Sequence, residues 1–439
     1  MIERGHAVLI DPEKCIGCVA CCKVCPTKAI RVRDRLAVVN PELCTDCGSC
    51  ILVCRYEAAT ARTSAVSDLK RFKHTVAVPS VTLYSQFGRD VTPVQVLHAL
   101  RQVGFDSHYD LSWMCEMVAG ATDAYLAECK GPWPKISVTC PAIVRLIQIR
   151  YPDLIAHMLP LESPRELAAK LLRPRLAADL ALDPDDIGVF FITPCSAIMN
   201  SILSPVGLEQ SYLDGAFSIA ELYGPLLAAI KRGGGSDLDA PISLSGVLWA
   251  IGEGQISGMR NTNTMAVRGL QDVEYVFDRI EAGKFQSVDF IEAFMCPDGC
   301  AGGQLTVEGR YAARRNIQQI ARRLGNQEHV KEEKVRSLLR EHFFDLEGPV
   351  KARAIQPLAR DLRQAIALKR EKDALLDRLP KKDCAACGSP DCATLAEEIA
   401  AGVARIEDCP FVKIEMLEAE RAGAETGARA RKVRKERNK

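Results

Sequence analysis

Apolar positions along the chain fall into short runs separated by helical patterns, the signature of α/β units. Ile187-Gly-Val-Phe-Phe-Ile-Thr193 is a continuous apolar run and predicts a buried strand. Ile136-Ser-Val-Thr139 is a shorter β-type run, and a helical pattern follows at once through Ile143, Leu146 and Ile147. Towards the C-terminus, Leu358, Leu362, Ile366, Leu375 and Leu376 recur among charges and predict a helix over residues 357–378. A further helix is predicted over Ala393–Ala404. Residues 59–67 are small and polar and read as a linker. No apolar run reaches the ~18 residues that a membrane span needs.

Composition adds one thing to this pattern. With 439 residues, 48% hydrophobic and 26% charged, the chain has the make-up of a globular protein of several domains. Lys+Arg (57) and Asp+Glu (56) nearly cancel, so charge gives no reason to expect a nucleic-acid partner. Cysteine is the exception, at nineteen residues. The opening Met-Ile-Glu-Arg-Gly-His has no apolar stretch after it, so no signal peptide is expected and the cytoplasm is the expected compartment. Clustered cysteines in that compartment point to metal ligation rather than disulfides.

The cysteines draw a domain map: nine within Cys15–Cys54, six from Cys115 to Cys300 and four within Cys384–Cys409. In the first group Cys15-x2-Cys18-x2-Cys21-x3-Cys25-Pro26 recurs 29 residues later as Cys44-x2-Cys47-x2-Cys50-x3-Cys54. This is the run of two-cluster bacterial ferredoxins, whose fourth cysteine ligates the other cluster. Cys15, Cys18, Cys21 and Cys54 are expected to hold one [4Fe–4S] cluster, and Cys44, Cys47, Cys50 and Cys25 the second. Gly17 and Gly48 are expected to let backbone approach the inorganic sulfurs. Arg55 stands where a second proline would be. Cys22 is surplus and reads as a buried thiol. Zinc competes weakly here, because its sites want two Cys-x2-Cys pairs rather than this doubled pattern.

The C-terminal group, Cys384-x2-Cys387-Gly388-x3-Cys392 with Cys409 downstream, again suits one cubane, with zinc the stronger competitor there. It resembles a small Fe–S domain of that pattern. In the large middle region Cys140-Pro141 and Pro194-Cys195 stand at the carboxyl ends of the two predicted strands, where open parallel sheets place ligands. Cys296-Pro-Asp-Gly-Cys300-Ala-Gly302-Gly303 supplies a close pair with glycines beside it. These four thiols could hold one more cubane or, in part, be core cysteines. Cys115 and Cys129 read as packing residues. The seven histidines show no ligand spacing. Gly252-Glu-Gly254 lacks the third glycine of a dinucleotide fingerprint, Gly233–Gly235 reads as a plain loop, and no phosphate-binding motif is present.

The order of these parts resembles the [FeFe]-hydrogenases, especially their sensory-type subgroup. Thr139-Cys140-Pro141-Ala142 through His157 looks like the first H-cluster motif, Thr193-Pro194-Cys195 like the second, and Glu292 to Gly303 like the third, with Leu305-Thr-Val-Glu also matching the subgroup. The resemblance implies an α/β fold class. A ferredoxin-like α+β module would occupy 1–60, a two-lobed hydrogenase-like body 70–345, a helical connector 346–378, a small helical [4Fe–4S] module 379–412 and a basic tail 413–439. It implies that Cys140, Cys195, Cys296 and Cys300 hold the H-cluster cubane, with Cys300 bridging to a di-iron unit.

The chain departs from the family's pattern around that di-iron unit. Thr139 stands at the proton-relay cysteine and Ile198 at a lysine that hydrogen-bonds a cyanide. Thr193 and Phe294 stand at two methionines. An isoleucine cannot donate, and a hydroxyl is a poor proton shuttle near neutral pH. Four [4Fe–4S] clusters are therefore expected and the di-iron unit is doubtful. The catalytic residues are left open, and the function reads as a multi-cluster electron relay of this family within a larger redox complex. A working hydrogenase or hydrogen sensor is the alternative, and a scaffold wiring a flavoenzyme is a third reading. Expected partners are flavoprotein or NAD(P)H-linked subunits, ferredoxin, or a signalling kinase or phosphatase, with neither nucleic acid nor membrane. No PAS domain is recognised, so output would pass to another chain. Residues 425–439 carry seven basic and two acidic residues and read as a solvated end or a docking tail.

Overall fold

The computed structural model describes residues 6–233, 242–325, 330–353 and 361–422. The basic tail 425–439, Leu358 and part of the 346–378 connector lie outside the described residues. Internal packing divides the chain into two compact units. The first holds the start of the chain through Leu9, Cys44–Leu52 and Thr60–Arg353; the second holds Ile10–Leu43, Val53–Ala59 and the C-terminal part.

Four short strands belong to the ferredoxin-like region: β1 (Val8–Ile10), β2 (Ile30–Arg33), β3 (Leu36–Val39) and β4 (Ala59–Ala61). β2 and β3 form an antiparallel hairpin that pairs Ile30 with Val39 and Arg33 with Leu36. Asp34 and Arg35 at its tip both take positive φ, which matches the twist of a two-residue hairpin.

Among the described residues the body carries eight more strands: β5 (His74–Pro79), β6 (Ser107–His108), β7 (Lys135–Ile136), β8 (Ile187–Thr193), β9 (Gly215–Ser218), β10 (Thr264–Arg268), β11 (Phe290–Phe294) and β12 (Pro297–Cys300). All but β12 make two parallel sheets, one ordered β6-β5-β8-β9 and one β10-β11-β7. Each sheet has its own core. Phe190, Ile192 and Phe217 lie in the first, and Ile143, Ile147, Phe277 and Ile291 in the second. Burying β8 on both faces requires its unbroken apolar run, and all seven of its residues are buried. Cys195, just after β8, packs against both cores. The body therefore has the two lobes expected.

Several predicted boundaries move. The strand expected over Ile136–Thr139 is only Lys135–Ile136. One more ladder-like bond follows, from Ser137 N–H to Ile291 O (2.9 Å), and then the Ser137 hydroxyl turns to Gln255 (2.8 Å). The stretch read as a linker is partly a strand, β4, and is tied down beyond it. Arg62 N–H donates to Ala7 O (2.7 Å) and Ser64 N–H to Ala216 O (2.7 Å). Its small residues allow that approach, since a Cβ on Gly215 would meet Ser64 Oγ at 2.2 Å. The last predicted helix spans Cys392–Ala400, capped by Asp391 and stopped by Gly402 at positive φ. The connector helix spans Leu362–Arg378; Leu375 is buried, but Leu362 and Ile366 are exposed, so only its C-terminal half finds a core. No described helix is long and apolar enough to cross a membrane.

Candidate iron–sulfur sites

In the body the two sheets deliver the four motif cysteines to one place. Cys140 follows β7 and begins the helix Pro141–Arg150; Cys195 follows β8 and begins the helix Ser196–Leu203. Cys296 follows β11, and Cys300 ends β12. The charge on each bears on the others. Burial pushes the Cys195 thiol up to about 12, with Cys140 adding to the shift, and burial followed by Cys140, Cys195 and Cys300 raises Cys296. All four are partly accessible, and burial is the largest cause raising each thiol.

Two sulfurs sit at helix starts, where backbone N–H groups are free. The nearby backbone N–H groups of Met295, Ile143 and Ala142 lower Cys140, and those of Ile198 and Ala197 lower Cys195, against the larger effect of burial. Such donors suit sulfurs that carry negative charge as iron ligands. As free thiols they are held protonated by burial, so iron binding has to displace their protons. Among the described residues no three His, Cys, Asp or Glu side chains converge as the ligands of a single ion would. Cubane ligands each take a different iron and stay farther apart. Four thiols brought together from three separate segments, two of them at helix starts, fit a cubane.

The altered positions surround this cage. Ile198, Phe294 and Thr193 are buried, and Thr139 is half-buried. The Thr193 hydroxyl is engaged with its own turn, accepting from Cys195 N–H (3.1 Å) and donating to Cys195 O (2.8 Å). Thr139 Oγ1 accepts from Ser137 Oγ (3.2 Å). Gly303 is there for packing, since a Cβ would lie 2.4 Å from Pro194 O.

Sequence reasoning assigned no role to three groups. Arg165 is buried; it donates to Thr139 O (3.1 Å) and Ser201 Oγ (3.4 Å), while its Nε has no partner. Its charge lowers Cys140, Cys195 and Cys300 against the larger effect of burial. A lone arginine on a helix start gives no pattern to find. Glu292 is fully buried, and its carboxylate accepts the N–H groups of Glu253 (2.7 Å) and Ile256 (3.0 Å); burial holds its pKa up to about 7. Asp46, inside the second cysteine run, is the third. It accepts Ala7 N–H (2.6 Å), Val8 N–H (3.3 Å) and the Asn200 amide, while its own carbonyl accepts Ser196 Oγ (2.8 Å). Ser196 and Asn200 belong to the helix that Cys195 begins. Asp46 thus seats the Cys44–Cys50 loop beside the cage, and Cys47 adds its charge to the upward shift of Cys296. Buried Arg145 lies close enough to oppose the rise that burial imposes on Asp46.

In the second unit Cys15, Cys18, Cys21 and Cys54 line one cavity together with Val32 and Ala37. Burial, reinforced by Cys18, pushes Cys21 up to about 11. The glycines of the two runs stand where packing leaves no room for a side chain. A Cβ on Gly17 would meet Arg35 Cα at 2.6 Å, and one on Gly48 the Gln304 side chain at 2.2 Å. Cys22 is a buried thiol against Ile30 O (3.1 Å). In the C-terminal module Cys392 and Cys409 share a small core with Leu375, Leu379 and Leu395, and Cys387 packs against it. Cys115 is a core residue and Cys129 packs beside Tyr125.

Comparison with known proteins follows this division. The family described as "Iron only hydrogenase large subunit, C-terminal domain" matches residues 73–222 and 246–304. A "4Fe-4S dicluster domain" matches 7–55, and an "Fe-S cluster" family matches 379–411. The periplasmic [Fe] hydrogenase large subunit of Nitratidesulfovibrio vulgaris is 26% identical over 376 residues, covering 70% of this chain and 88% of that protein. Iron hydrogenase 1 of Clostridium pasteurianum is 31% identical over 117 residues, covering 25% of this chain and 20% of that protein. In fold, the chain is similar to a solved [FeFe]-hydrogenase of Chlamydomonas reinhardtii, a variant, with a TM-score of 0.51 at 16% identity over 64% of this chain and 95% of that one. A structure bearing on stepwise H-cluster assembly in an [FeFe]-hydrogenase gives the same TM-score over 66% and 97%. With body, ferredoxin run and C-terminal module each matched in its own stretch, this iron–sulfur protein belongs to the [FeFe]-hydrogenase family.

Proposed function

We propose that the chain is an electron relay with four [4Fe–4S] clusters. Cys15, Cys18, Cys21 and Cys54 hold one, Cys44, Cys47, Cys50 and Cys25 the second, Cys140, Cys195, Cys296 and Cys300 the third, and Cys384, Cys387, Cys392 and Cys409 the fourth. The clusters, when bound, store and release single electrons. The protein's part is to fix their spacing and their electrostatics. The observation that carries this reading is the Asp46 anchor, which holds a ferredoxin-type cysteine loop on the helix begun by a cage cysteine. The relay works in the cytoplasm as a subunit of a larger complex. Its partners are flavoprotein or NAD(P)H-linked subunits or ferredoxin.

A relay rather than a turnover site is favoured by the pocket. Thr139 is a weak proton shuttle, Thr193 is occupied by its own backbone, and Ile198 offers no donor. Anaerobic protein reconstituted with iron and sulfide should hold about sixteen iron atoms for four cubanes and two more with a di-iron unit. Saturation at eight, with zinc making up the rest, would sink the assignment of the body and the C-terminal module.

One observation favours the second reading, a hydrogenase or hydrogen sensor with a complete H-cluster that signals to a kinase or phosphatase. Arg165 presents a buried cation with a free Nε beside Thr139 and the cage. That group could offer an anionic ligand the donor that Ile198 lacks. Infrared spectra of protein given a synthetic di-iron complex decide between the two. CO and CN⁻ bands with brisk hydrogen turnover in the wild type refute the relay. Their absence, even in a Thr139→Cys, Ile198→Lys double variant, leaves the relay standing.

A further inference from the structure

Within the second unit, the loop that carries Cys387 lies against β2 of the ferredoxin-like region. Val32 N–H donates to Gly388 O (2.8 Å). Arg33 donates through Nη1 to Cys387 O (3.2 Å) and through Nη2 to Ser389 Oγ (3.0 Å) and Glu398 (2.6 Å). Arg31 binds the other oxygen of Glu398, and Lys28 pairs with Asp391 at 2.5 Å. Cys22, the neighbour of Cys21, points its sulfur at Ile30 O (3.1 Å) and lies 3.8 Å from Gly388 O. Two arginines on one carboxylate whose side chain is 13% exposed form a network, and networks of this kind hold geometry better than isolated surface pairs.

Val32 touches both cysteine sets. Its amide bonds the Cys387–Ser389 loop, while Val32 also lines the cavity ringed by Cys15, Cys18, Cys21 and Cys54. One residue therefore lies between the two cysteine sets. Gly388 makes the approach possible. It sits at φ +82°, and a Cβ there would lie 1.9 Å from Val32 O.

We propose that Val32 and the Cys387–Ser389 loop form the electron-transfer contact between the C-terminal Fe–S module and the first ferredoxin-type cluster, with Arg31, Arg33 and Glu398 as positioning residues. This rests on the reading of both cysteine sets as cubane ligands. With clusters bound, Cys384, Cys387, Cys392 and Cys409 would hold one and Cys15, Cys18, Cys21 and Cys54 the other, and the electron given up by one on passing from [4Fe–4S]⁺ to [4Fe–4S]²⁺ would be taken up by the other on passing from [4Fe–4S]²⁺ to [4Fe–4S]⁺. No proton moves and no bond breaks. Because transfer rates fall steeply with separation, the ion pairs act by holding the approach that Gly388 permits. The C-terminal module then serves as a terminal station of the relay.

The test uses the full chain, reconstituted anaerobically with iron and sulfide and reduced with dithionite. Two paramagnetic clusters in close approach broaden each other's electron paramagnetic resonance signals. Cys409→Ser should lower iron by about four atoms per chain and remove one component of that mutual broadening. Glu398→Lys and Gly388→Ala should remove the same component with iron retained. Should Glu398→Lys itself lose iron, Arg33→Met reads the same contact from the ferredoxin side. Cys296→Ala, which disables the body cage, should leave the component in place. The contact is refuted if the component survives in Glu398→Lys and Gly388→Ala with full iron, or if Cys409→Ser lowers iron without changing the broadening. Unchanged iron in Cys409→Ser would instead overturn the cluster assignment on which the contact rests.

Discussion

Asp46→Ala should loosen the seat of the second cysteine run on the body. The Asp46 side chain is buried and accepts from two backbone amides and one side-chain amide: Ala7 N–H at 2.6 Å, Val8 N–H at 3.3 Å and the Asn200 amide. Alanine leaves these donors without an acceptor, each costing about 1–3 kcal/mol when buried. Arg145, itself buried, also loses the nearby carboxylate. Because neighbouring losses do not add, the total should be roughly 3–5 kcal/mol, the range for breaking one side of a buried polar pair. Asp46→Asn separates hydrogen bonding from charge. Its carbonyl can still accept Ala7 N–H, and its new N–H₂ can be met by Asn200 Oδ1, which has no partner, after a flip of that amide. The asparagine variant should therefore cost about 1–2 kcal/mol, mostly from the uncompensated Arg145. Amide exchange at Ala7 and Val8 reads the seat directly, with anaerobic urea unfolding reporting the total. Alanine should abolish protection at both amides, and asparagine should keep most of it. If protection and unfolding midpoint survive in Asp46→Ala, the anchor is not what holds this loop, and the carrying observation for the relay fails with it.

Three further outcomes follow from the same structure. Burial raises Glu166 and Glu292 from 4.5 to about 7, so the folded chain holds more protons than the unfolded one between those values. Their contribution is full below pH 4.5 and is lost as pH rises through 7, about 3 kcal/mol for each; Glu292→Gln should flatten this fall in urea midpoints, and an unchanged pH slope would refute the assignment. Arg165→Met removes a positive charge beside Cys140, Cys195 and Cys300, so the body cubane should become harder to reduce; a redox titration in which its midpoint rises would contradict the placement of that charge. Deleting residues 425–439 should leave iron content unchanged and weaken association with an acidic redox partner at low salt, where exposed charges act over ~10 Å or more; equal binding by the truncated chain makes the tail a solvated end.

The sequence by itself determined the chemistry. Cysteine spacing within one turn or loop is a local property, so the ferredoxin run and the Cys384–Cys392 cluster were legible, and β8, with Cys195 just beyond its end, was legible from its unbroken apolar run, whereas the strand read up to Thr139 stops at Ile136. What the tertiary structure decided was everything between distant segments. The residues read as a linker are bound to Ala7 and Ala216 through backbone bonds that any sequence could make. Leu362 and Ile366 repeat like a buried face but find no core, because periodicity states what a helix could bury and not what it meets. Asp46, Arg165 and Glu398 are single charged residues without a motif. Their partners lie 154, 26 and 365 positions away, and only folding brings a buried charge to the groups that compensate it. Local pattern thus specified which cysteines cluster along the chain, and long-range packing specified which charged and polar groups they meet.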